Sequence, residues 1–264
     1  MELICPICGE ILYKKERQFV CDKGHCFDIA RQGYVNLLPV QNKRSLNPGD
    51  TREQVLARRR FLEGGFYAPI SRALNELAQG CQGPILDAGC GEGYYSTRLA
   101  EARGAELLGL DISKEAVRCA AASYKNALWV CGSAARLPVK DGSVGLITSL
   151  FAMTDATEFR RALKPGGYFI RVLAAPDHLP ELKKVIYDQV FHKEKEGMTP
   201  LEGFSLVKTM PVTFEFSLEG QQVQDLLYMT PHVYRISKAG ADRLRQTQTL
   251  TDRASCILGL YKAE

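Results

Sequence analysis

Short apolar runs separated by polar turns organise the middle of the chain. They recur at 84–86, 106–110, 144–150 and 168–170, and helix-like segments lie between them. Short apolar runs bounded by turn residues are typical of strands that are buried on both faces. Because such strands alternate with helices through residues 84–174, the pattern predicts an α/β domain built on a parallel sheet.

The flanking segments predict further helices and strands. Thr51 is suited to cap a helix that runs through about Leu62, and Gln54 completes a capping box. Gly64-Gly65 ends that helix, and a second helix is predicted near 69–79. The C-terminal part predicts five more elements: helices near 178–192, 220–228 and 237–247, and strands at 204–218 and 254–261.

A glycine-rich turn follows the first strand of this domain, with the sequence Asp87-Ala88-Gly89-Cys90-Gly91-Glu92-Gly93. Three glycines at alternate positions let the backbone approach a ligand closely and adopt positive φ. A helix-like run follows, so backbone N–H groups would point at that ligand. The spacing is G-x-G-x-G, whereas a dinucleotide site carries G-x-G-x-x-G. The turn therefore favours S-adenosylmethionine over a nicotinamide cofactor, and Asp87, Gly89, Gly91 and Gly93 are candidate cofactor-binding residues.

The second predicted strand ends at Asp111, which lies 24 residues after Asp87. An acid about 20 residues past such a turn typically accepts hydrogen bonds from ribose hydroxyls. An aspartate at the end of a strand often caps the next helix instead, although Ser113 can serve as that cap. Together with the glycine turn, the ribose role of Asp111 is the favoured interpretation.

Nine cysteines are distributed unevenly, and those near the N-terminus have the spacing of metal ligands. Cys5 and Cys8 form one pair, and Cys21 is followed by His25 and Cys26. Two such pairs fit a tetrahedral zinc site, which a segment of 35 residues needs as a staple because it cannot bury a sufficient core. The spacing leaves the fourth ligand open between His25 and Cys26. Four protein ligands predict a closed, structural site.

The net charge of +4 is concentrated between residues 31 and 60. That segment has seven basic residues against Asp50 and Glu53, which is a net +5; the basic ones are Arg31, Lys43, Arg44, Arg52, Arg58, Arg59 and Arg60. A basic stripe can follow a phosphate backbone, or it can be a solvated helix face. No apolar window is long enough for a transmembrane helix and no signal-peptide pattern is present, so we expect a cytoplasmic protein that does not enter a membrane.

Several motifs together resemble one family, the bacterial 23S ribosomal RNA guanine-N1 methyltransferases of the RlmA/TlrB type. The resemblance covers essentially the full length of the chain. The segments that carry it are Cys5-Pro6-Ile7-Cys8, the run 21–41, Pro48-Gly49-Asp50, Ala57-Arg58-Arg59-Arg60-Phe61-Leu62, the turn at 87–95 and Met229-Thr230-Pro231.

The resemblance implies a fold, a reaction and a set of site residues. The fold is a class I (Rossmann-like) methyltransferase core with a small N-terminal zinc-binding module. The reaction is methyl transfer from S-adenosylmethionine to N1 of a guanine in a 23S rRNA hairpin near the peptide exit tunnel, in some members with macrolide resistance. The family acts as a homodimer. Its zinc ligands correspond to Cys5, Cys8, Cys21 and His25, and its cofactor contacts to Tyr67, Gly91, Glu92 and His178.

This organisation predicts three parts: a zinc-binding RNA-recognition module (1–35), a basic helical connector (36–70) and the methyltransferase domain (71–264). Asp155 is a candidate base by its place after the fourth core strand, although it is equally suited to cap the next helix. Phe151 is suited to stack on an extruded base or to pack in the core. The alternatives to the proposed reaction are methylation of another RNA or of a small molecule, and a non-catalytic RNA-binding protein.

Overall fold

A computed structural model describes residues 1–39, 48–190 and 197–264 of the chain. The N-terminal segment forms a small three-stranded antiparallel sheet with the order β1-β2-β3. Its strands are β1 (Tyr13–Lys15), β2 (Gln18–Val20) and β3 (Cys26–Asp28). Three strands of three residues each bury little apolar surface, so this sheet depends on what binds and packs against it.

A central sheet of eight strands carries the rest of the molecule, in the order β10-β11-β9-β8-β5-β6-β7-β4. Strands β4 to β9 are mutually parallel, whereas β11 is antiparallel to β9 and β10 is antiparallel to β11. The strands are β4 (Tyr34–Asn36), β5 (Ile85–Ala88), β6 (Leu107–Asp111), β7 (Leu128–Cys131), β8 (Val144–Leu150), β9 (Leu163–Ala174), β10 (Phe204–Glu219) and β11 (Thr249–Ala263). This arrangement confirms the predicted α/β fold.

Helices cover the sheet and follow the predicted alternation with strands. They are α1 (Arg52–Glu63), α2 (Ala68–Leu77), α3 (Tyr94–Arg103), α4 (Lys114–Ser123), α5 (Ala156–Ala162), α6 (Pro180–Ile186), α7 (Gln221–Tyr228) and α8 (Lys238–Gln246), with a 3₁₀ turn at Pro231–Tyr234. The capping box of α1 is present as predicted. None of the helices in the described ranges has the length and apolar composition needed to cross a bilayer.

One predicted helix is shorter than expected. The pattern predicted a helix over 178–192, but α6 begins at Pro180 and ends at Ile186. Proline is favoured in the first turn of a helix, which explains the late start. Asp252, on β11, accepts hydrogen bonds from the backbone N–H groups of Glu181 and Leu182, so the cap comes from a residue some 70 positions away. Residues 191–192 of the prediction lie outside the described residues.

The small sheet is docked on the central one through main-chain and apolar contacts. Leu3 forms an antiparallel bridge with Val139, and the N–H of Ile4 donates to the carbonyl oxygen of Pro138 at 3.0 Å. Tyr34–Asn36 then adds a short parallel strand beside β7. The N-terminal segment is therefore part of the packed molecule, and its last strand belongs to the central sheet.

Candidate active site and zinc site

The predicted metal ligands converge in the N-terminal sheet. The ligand atoms of Cys5, Cys8, Cys21 and His25 all lie within 4.8 Å of one another. The closest pairs are Cys21 Sγ to His25 Nδ1 at 3.4 Å, Cys5 Sγ to His25 Nδ1 at 3.6 Å and Cys8 Sγ to Cys21 Sγ at 3.7 Å. Bonds of about 2.3 Å to sulfur and about 2.0 Å to nitrogen place tetrahedral ligands at separations of this size. These four residues therefore fit a zinc ion.

Cys26 does not join this cluster. It is exposed on β3, and its Sγ donates to the carbonyl oxygen of Gly24 at 3.4 Å. His25, the residue immediately before β3, points into the cluster, whereas the Cys26 side chain is directed away from it. The structure thus favours His25 as the fourth ligand, the choice that spacing alone had left open. Three thiolates and one imidazole complete the coordination, as in a structural zinc site.

The glycine-rich turn opens the second site, at the carboxyl end of β5. Gly89, Gly91 and Gly93 have φ values of 93°, 56° and 92°. A Cβ on Gly89 would lie 2.5 Å from the Cβ of Ala152, and one on Gly93 would lie 2.7 Å from the Trp129 ring. Only glycine satisfies both the dihedral and the space at these positions. The turn leads into α3, so the N–H groups at the start of that helix face the same crevice.

Two aspartates hold the turn in place. The carboxylate of Asp111 accepts the N–H of Gly91 and the N–H of Ser113, both at 2.8 Å, so it lies directly beside the turn at the end of β6. Asp87 is buried and accepts hydrogen bonds from Ser96 and, at 2.7 Å, from Thr148. Burial raises the pKa of Asp87 to about 6. Asp87 therefore supports the turn from the buried side, whereas Asp111 is the carboxylate beside the crevice.

Two further polar residues in this support were missed from the sequence. Thr148 is the first of two polar residues in strand β8, which is otherwise apolar, and Ser96 lies in the first turn of α3. A hydroxyl in a fully buried strand needs a hydrogen-bond partner, and this requirement could have indicated from the sequence that Thr148 binds a buried polar group. Each hydroxyl satisfies one oxygen of the buried Asp87 carboxylate.

Glu92, the residue between the last two glycines, is buried, with 4% of its surface exposed. Burial raises its pKa to about 7, and the nearby guanidinium groups of Arg58 and Arg59 oppose that rise. The connector helix α1 thus packs on the cofactor turn and brings positive charge to it.

The arginines of that helix are engaged within the chain. Arg58 pairs with Asp50 and donates to the carbonyl oxygen of Met229 at 3.3 Å. Arg59 pairs with Glu63 at 2.7 Å, and Arg60 makes two hydrogen bonds to Asp225, at 2.6 and 2.8 Å. Each of these three guanidinium groups thus has a carboxylate partner within the chain, which favours a structural role for this helix over an RNA contact. Of the other basic residues of the segment, Arg31 and Arg52 are exposed, and Lys43 and Arg44 lie outside the described residues.

Tyr67 and His178, 111 residues apart, meet beside Phe151, the residue that follows β8. The hydroxyl of Tyr67 lies 3.4 Å from His178 Nε2. His178 Nδ1 lies 2.9 Å from the backbone oxygen of Ser255, which fixes the orientation of the imidazole. Tyr67 is buried, and burial raises the pKa of its hydroxyl. The phenol therefore remains protonated and acts as a neutral hydrogen-bonding group.

Asp155 and Phe151 follow β8 and differ in their surroundings. Asp155 is the N-cap of α5, and its Oδ1 accepts the N–H of Glu158 at 3.0 Å. Phe151 lies next to His178, with ring centroids 6.1 Å apart, and 42% of its surface is exposed. Phe151 is therefore not a core residue, and the cap that the sequence had offered as the alternative for Asp155 is formed.

Comparisons with known proteins agree with this geometry. Residues 3–46 match the zinc-ribbon family model described as "RlmA, N-terminal", and residues 85–167 match a methyltransferase domain. The 23S rRNA (guanine(748)-N(1))-methyltransferase of Streptomyces fradiae is 38% identical over 202 residues, covering 74% of this chain and 71% of that protein. A Bacillus subtilis (strain 168) protein, provisionally named as a 23S rRNA (guanine-N(1)-)-methyltransferase, is 29% identical over 97% of this chain and 96% of its own length.

A solved structure from work on conversion of a disulfide bond into a thioacetal group during echinomycin biosynthesis shares the fold. Its TM-score is 0.51 at 18% identity, and the match covers 74% of this chain and 81% of that one. The sheet order, the glycine turn and the zinc ribbon define a class I S-adenosylmethionine-dependent methyltransferase that carries a structural zinc site. Within that class, the chain belongs to the RlmA family of 23S rRNA (guanine-N1)-methyltransferases.

Proposed function

We propose that this protein methylates N1 of a guanine in a hairpin of 23S ribosomal RNA near the peptide exit tunnel. The observation that carries the proposal is the presence, in one chain, of an intact cofactor turn beside Asp111 and a zinc ribbon with four converging ligands. A methyltransferase for small molecules does not need the ribbon, and a binding protein that has lost catalysis does not need the strained glycine turn. The names of the relatives support the same reaction.

The cofactor-binding residues that we propose surround one crevice. Gly89, Gly91 and Gly93 supply backbone at close range, and Asp111 accepts hydrogen bonds from the ribose hydroxyls. The cofactor, when bound, supplies a methyl group on a positively charged sulfur. Further proposed contacts come from the residues that the family resemblance identified: Tyr67, Glu92 and His178. Asp87 acts through the turn that it supports, since its carboxylate is satisfied by Ser96 and Thr148.

Guanine N1 carries a proton, so the transfer needs a group that accepts it. We propose Asp155 for this role. One of its oxygens caps α5, and within the described residues its other oxygen forms no hydrogen bond. Asp155→Asn keeps a good capping residue and removes the base. Loss of methyl transfer with an unchanged melting temperature supports the role, whereas full activity assigns Asp155 to the cap alone.

We propose that the three parts of the chain have different functions. The ribbon (1–35) recognises RNA, the connector (36–70) supports the cofactor site, and residues 71–264 carry out catalysis. Candidate RNA contacts lie on the β1–β2 hairpin, where Lys14, Lys15 and Arg17 are exposed. None of the three forms an ion pair in the part of the chain that the structure describes. Tyr13 beside them is 49% exposed and offers a stacking surface.

The experiment that tests the function is methyl transfer with labelled S-adenosylmethionine to unmodified 23S rRNA fragments that contain the exit-tunnel hairpins. Nucleoside analysis should give 1-methylguanine at one position. Label in another nucleoside, or none in RNA while the protein binds S-adenosylhomocysteine, would refute the proposed substrate. A variant in which Lys14, Lys15 and Arg17 are all replaced by Gln should bind RNA with a weaker salt dependence. The slope of the logarithm of the binding constant against the logarithm of salt concentration should become less steep by about 2, because each phosphate contact contributes about 0.7–0.9.

Three properties of the family extend the proposal. We place the protein in the cytoplasm, where the ribosome is assembled. A homodimer would provide a cleft for an RNA hairpin, and sedimentation of the zinc-loaded protein should give twice the mass of one chain. If the methylated guanine lies at the macrolide site, expression in a sensitive host should raise the inhibitory concentration of tylosin.

A further inference from the structure

The backbone is strained around His178. Within the described residues, three residues other than glycine have positive φ: Glu16, Phe151 and Leu179. Phe151 (φ 54°) packs beside the His178 ring, and Leu179 (φ 55°) follows His178 in the chain. Bulky side chains seldom adopt this conformation, and such strain concentrates at functional sites. The two strained residues thus mark the same side of the crevice.

Phe151 occupies the point of the sheet where a substrate is expected. It is the first residue after β8, and its N–H donates to the carbonyl oxygen of Val172 at 3.0 Å. In a doubly wound sheet, ligands bind at the carboxyl ends of the two strands where the order reverses. Those strands are β5 and β8 here, and the residue after Phe151, Ala152, packs against Gly89 of the cofactor turn. Phe151 therefore borders the cofactor crevice.

The ring is also open to a partner. Phe151 is 42% exposed and Met153 is 66% exposed, so the loop after β8 presents apolar surface at the mouth of the site. The plane of the Phe151 ring is tilted by 32° from that of His178 at a centroid distance of 6.1 Å, so the imidazole supports it from one side. His178 in turn is held by the backbone of Ser255. A supported, accessible ring suits stacking better than it suits core packing.

We propose that Phe151 is the residue on which the target guanine stacks after it leaves its base pair. The proposal rests on the proposed function, because it takes an RNA guanine as the substrate. Guanine N1 is hidden in a Watson–Crick pair, so the base must be extruded and held by stacking before its N1 can face the methyl group. The loop after β8 lies against the cofactor turn, which places such a base within reach of it.

Two variants separate the ring from the backbone strain. Phe151→Asn removes the ring but tolerates positive φ, whereas Phe151→Tyr keeps the ring. Base-on-aromatic stacking accounts for a five- to hundredfold effect when the aromatic is removed, in order-of-magnitude terms. We therefore expect kcat/KM for the RNA to fall about tenfold or more in Phe151→Asn and to stay within about twofold in Phe151→Tyr. Affinity for S-adenosylhomocysteine should be unchanged in both, because the cofactor turn is intact.

A fluorescence measurement provides a readout that a purely structural role would not change. The hairpin RNA carries 2-aminopurine in place of the methylated guanine and is bound to the zinc-loaded protein with S-adenosylhomocysteine. Wild type and Phe151→Tyr should quench the extruded base, and Phe151→Asn should leave it bright. Equal emission from all three complexes, or equal loss of methylation in both variants, would overturn the proposal. Methylation by the wild type tests the proposed function separately, so failure of the stacking proposal is distinguishable from failure of the function on which it rests.

Discussion

The ion pair between Arg60 and Asp225 gives the most specific test of the role of the connector helix. Asp225 lies on α7 with only 4% of its side chain exposed, and Arg60 on α1 donates to both of its oxygens. Gln221 supplies one further hydrogen bond at 3.2 Å. Arg60→Gln would leave a buried carboxylate with neutral donors only, so we expect the folded state to be destabilised.

The loss of folding stability in Arg60→Gln can be estimated from the burial of Asp225 and the exposure of Arg60. Hydrogen bonds to a charged group contribute about 1.5–3 kcal/mol, and an orphaned buried charge costs more. Because 52% of the Arg60 side chain is exposed, water screens part of this interaction, and about 2 kcal/mol is the expected loss. For a chain of this size that corresponds to a fall in Tm of about 4–8 °C. The double variant Arg60→Gln/Asp225→Asn should recover part of the lost stability, because it contains no unpaired buried charge at this position.

Urea unfolding of the zinc-loaded protein measures the change, with Arg245→Gln as the matched control. Arg245 pairs with Asp242 three residues away, and both side chains are largely exposed, so its loss should cost less than about 0.5 kcal/mol. RNA binding by folded Arg60→Gln should keep the salt dependence of the wild type. If the salt dependence of RNA binding weakens by about one phosphate contact while stability is unchanged, this reasoning is refuted and Arg60 contacts RNA.

Three further predictions concern the zinc ligands, the glycine turn and the buried glutamate. Cys8→Ser should lose its zinc while Cys26→Ser retains one ion per chain by metal analysis; equal zinc in both would contradict the ligand assignment. Gly89→Ala should weaken S-adenosylhomocysteine binding at least tenfold by calorimetry, whereas Gly104→Ala, also at positive φ but with open space around its Cβ, should bind normally. The pKa of Glu92 is raised from 4.5 to about 7 in the folded state, so the folded protein binds this proton more tightly than the unfolded chain does. The stability that results is fully present below pH 4.5 and is lost as the pH rises to about 7. The Tm of Glu92→Gln relative to the wild type should therefore rise from pH 5 to pH 8; a constant difference would refute the shift.

The features that the sequence predicted well are local ones. The glycine turn lies between a strand and a helix within ten residues, and the capping box of Thr51 and Gln54 spans four. In both cases the residue types determine the backbone with little help from the rest of the chain. The core strands were predicted for a similar reason, since burial on both faces leaves a continuous apolar run.

The features that were missed depend on distant partners. Arg60 finds its carboxylate 165 residues away, and nothing in the run of three arginines indicates this. Tyr67 and His178 were identified as site residues only through the family resemblance, and their mutual contact was not predicted, because no spacing rule links residues on different elements. The fourth zinc ligand was decided by the directions of two neighbouring side chains at the start of β3, which the spacing of His25 and Cys26 does not contain.

The docking of the zinc ribbon has a consequence for the order in which the protein is made. The ribbon is synthesised before its docking surface: Val139 follows its partner Leu3 by 136 residues, and β7 follows its partner Tyr34–Asn36 by 95 residues. A growing chain therefore carries the ribbon for seconds without its docking surface. Zinc bridges this interval, since the four ligands lie within the first 25 residues and can close on the metal alone. The supply of zinc during translation would then affect the yield of correctly assembled protein.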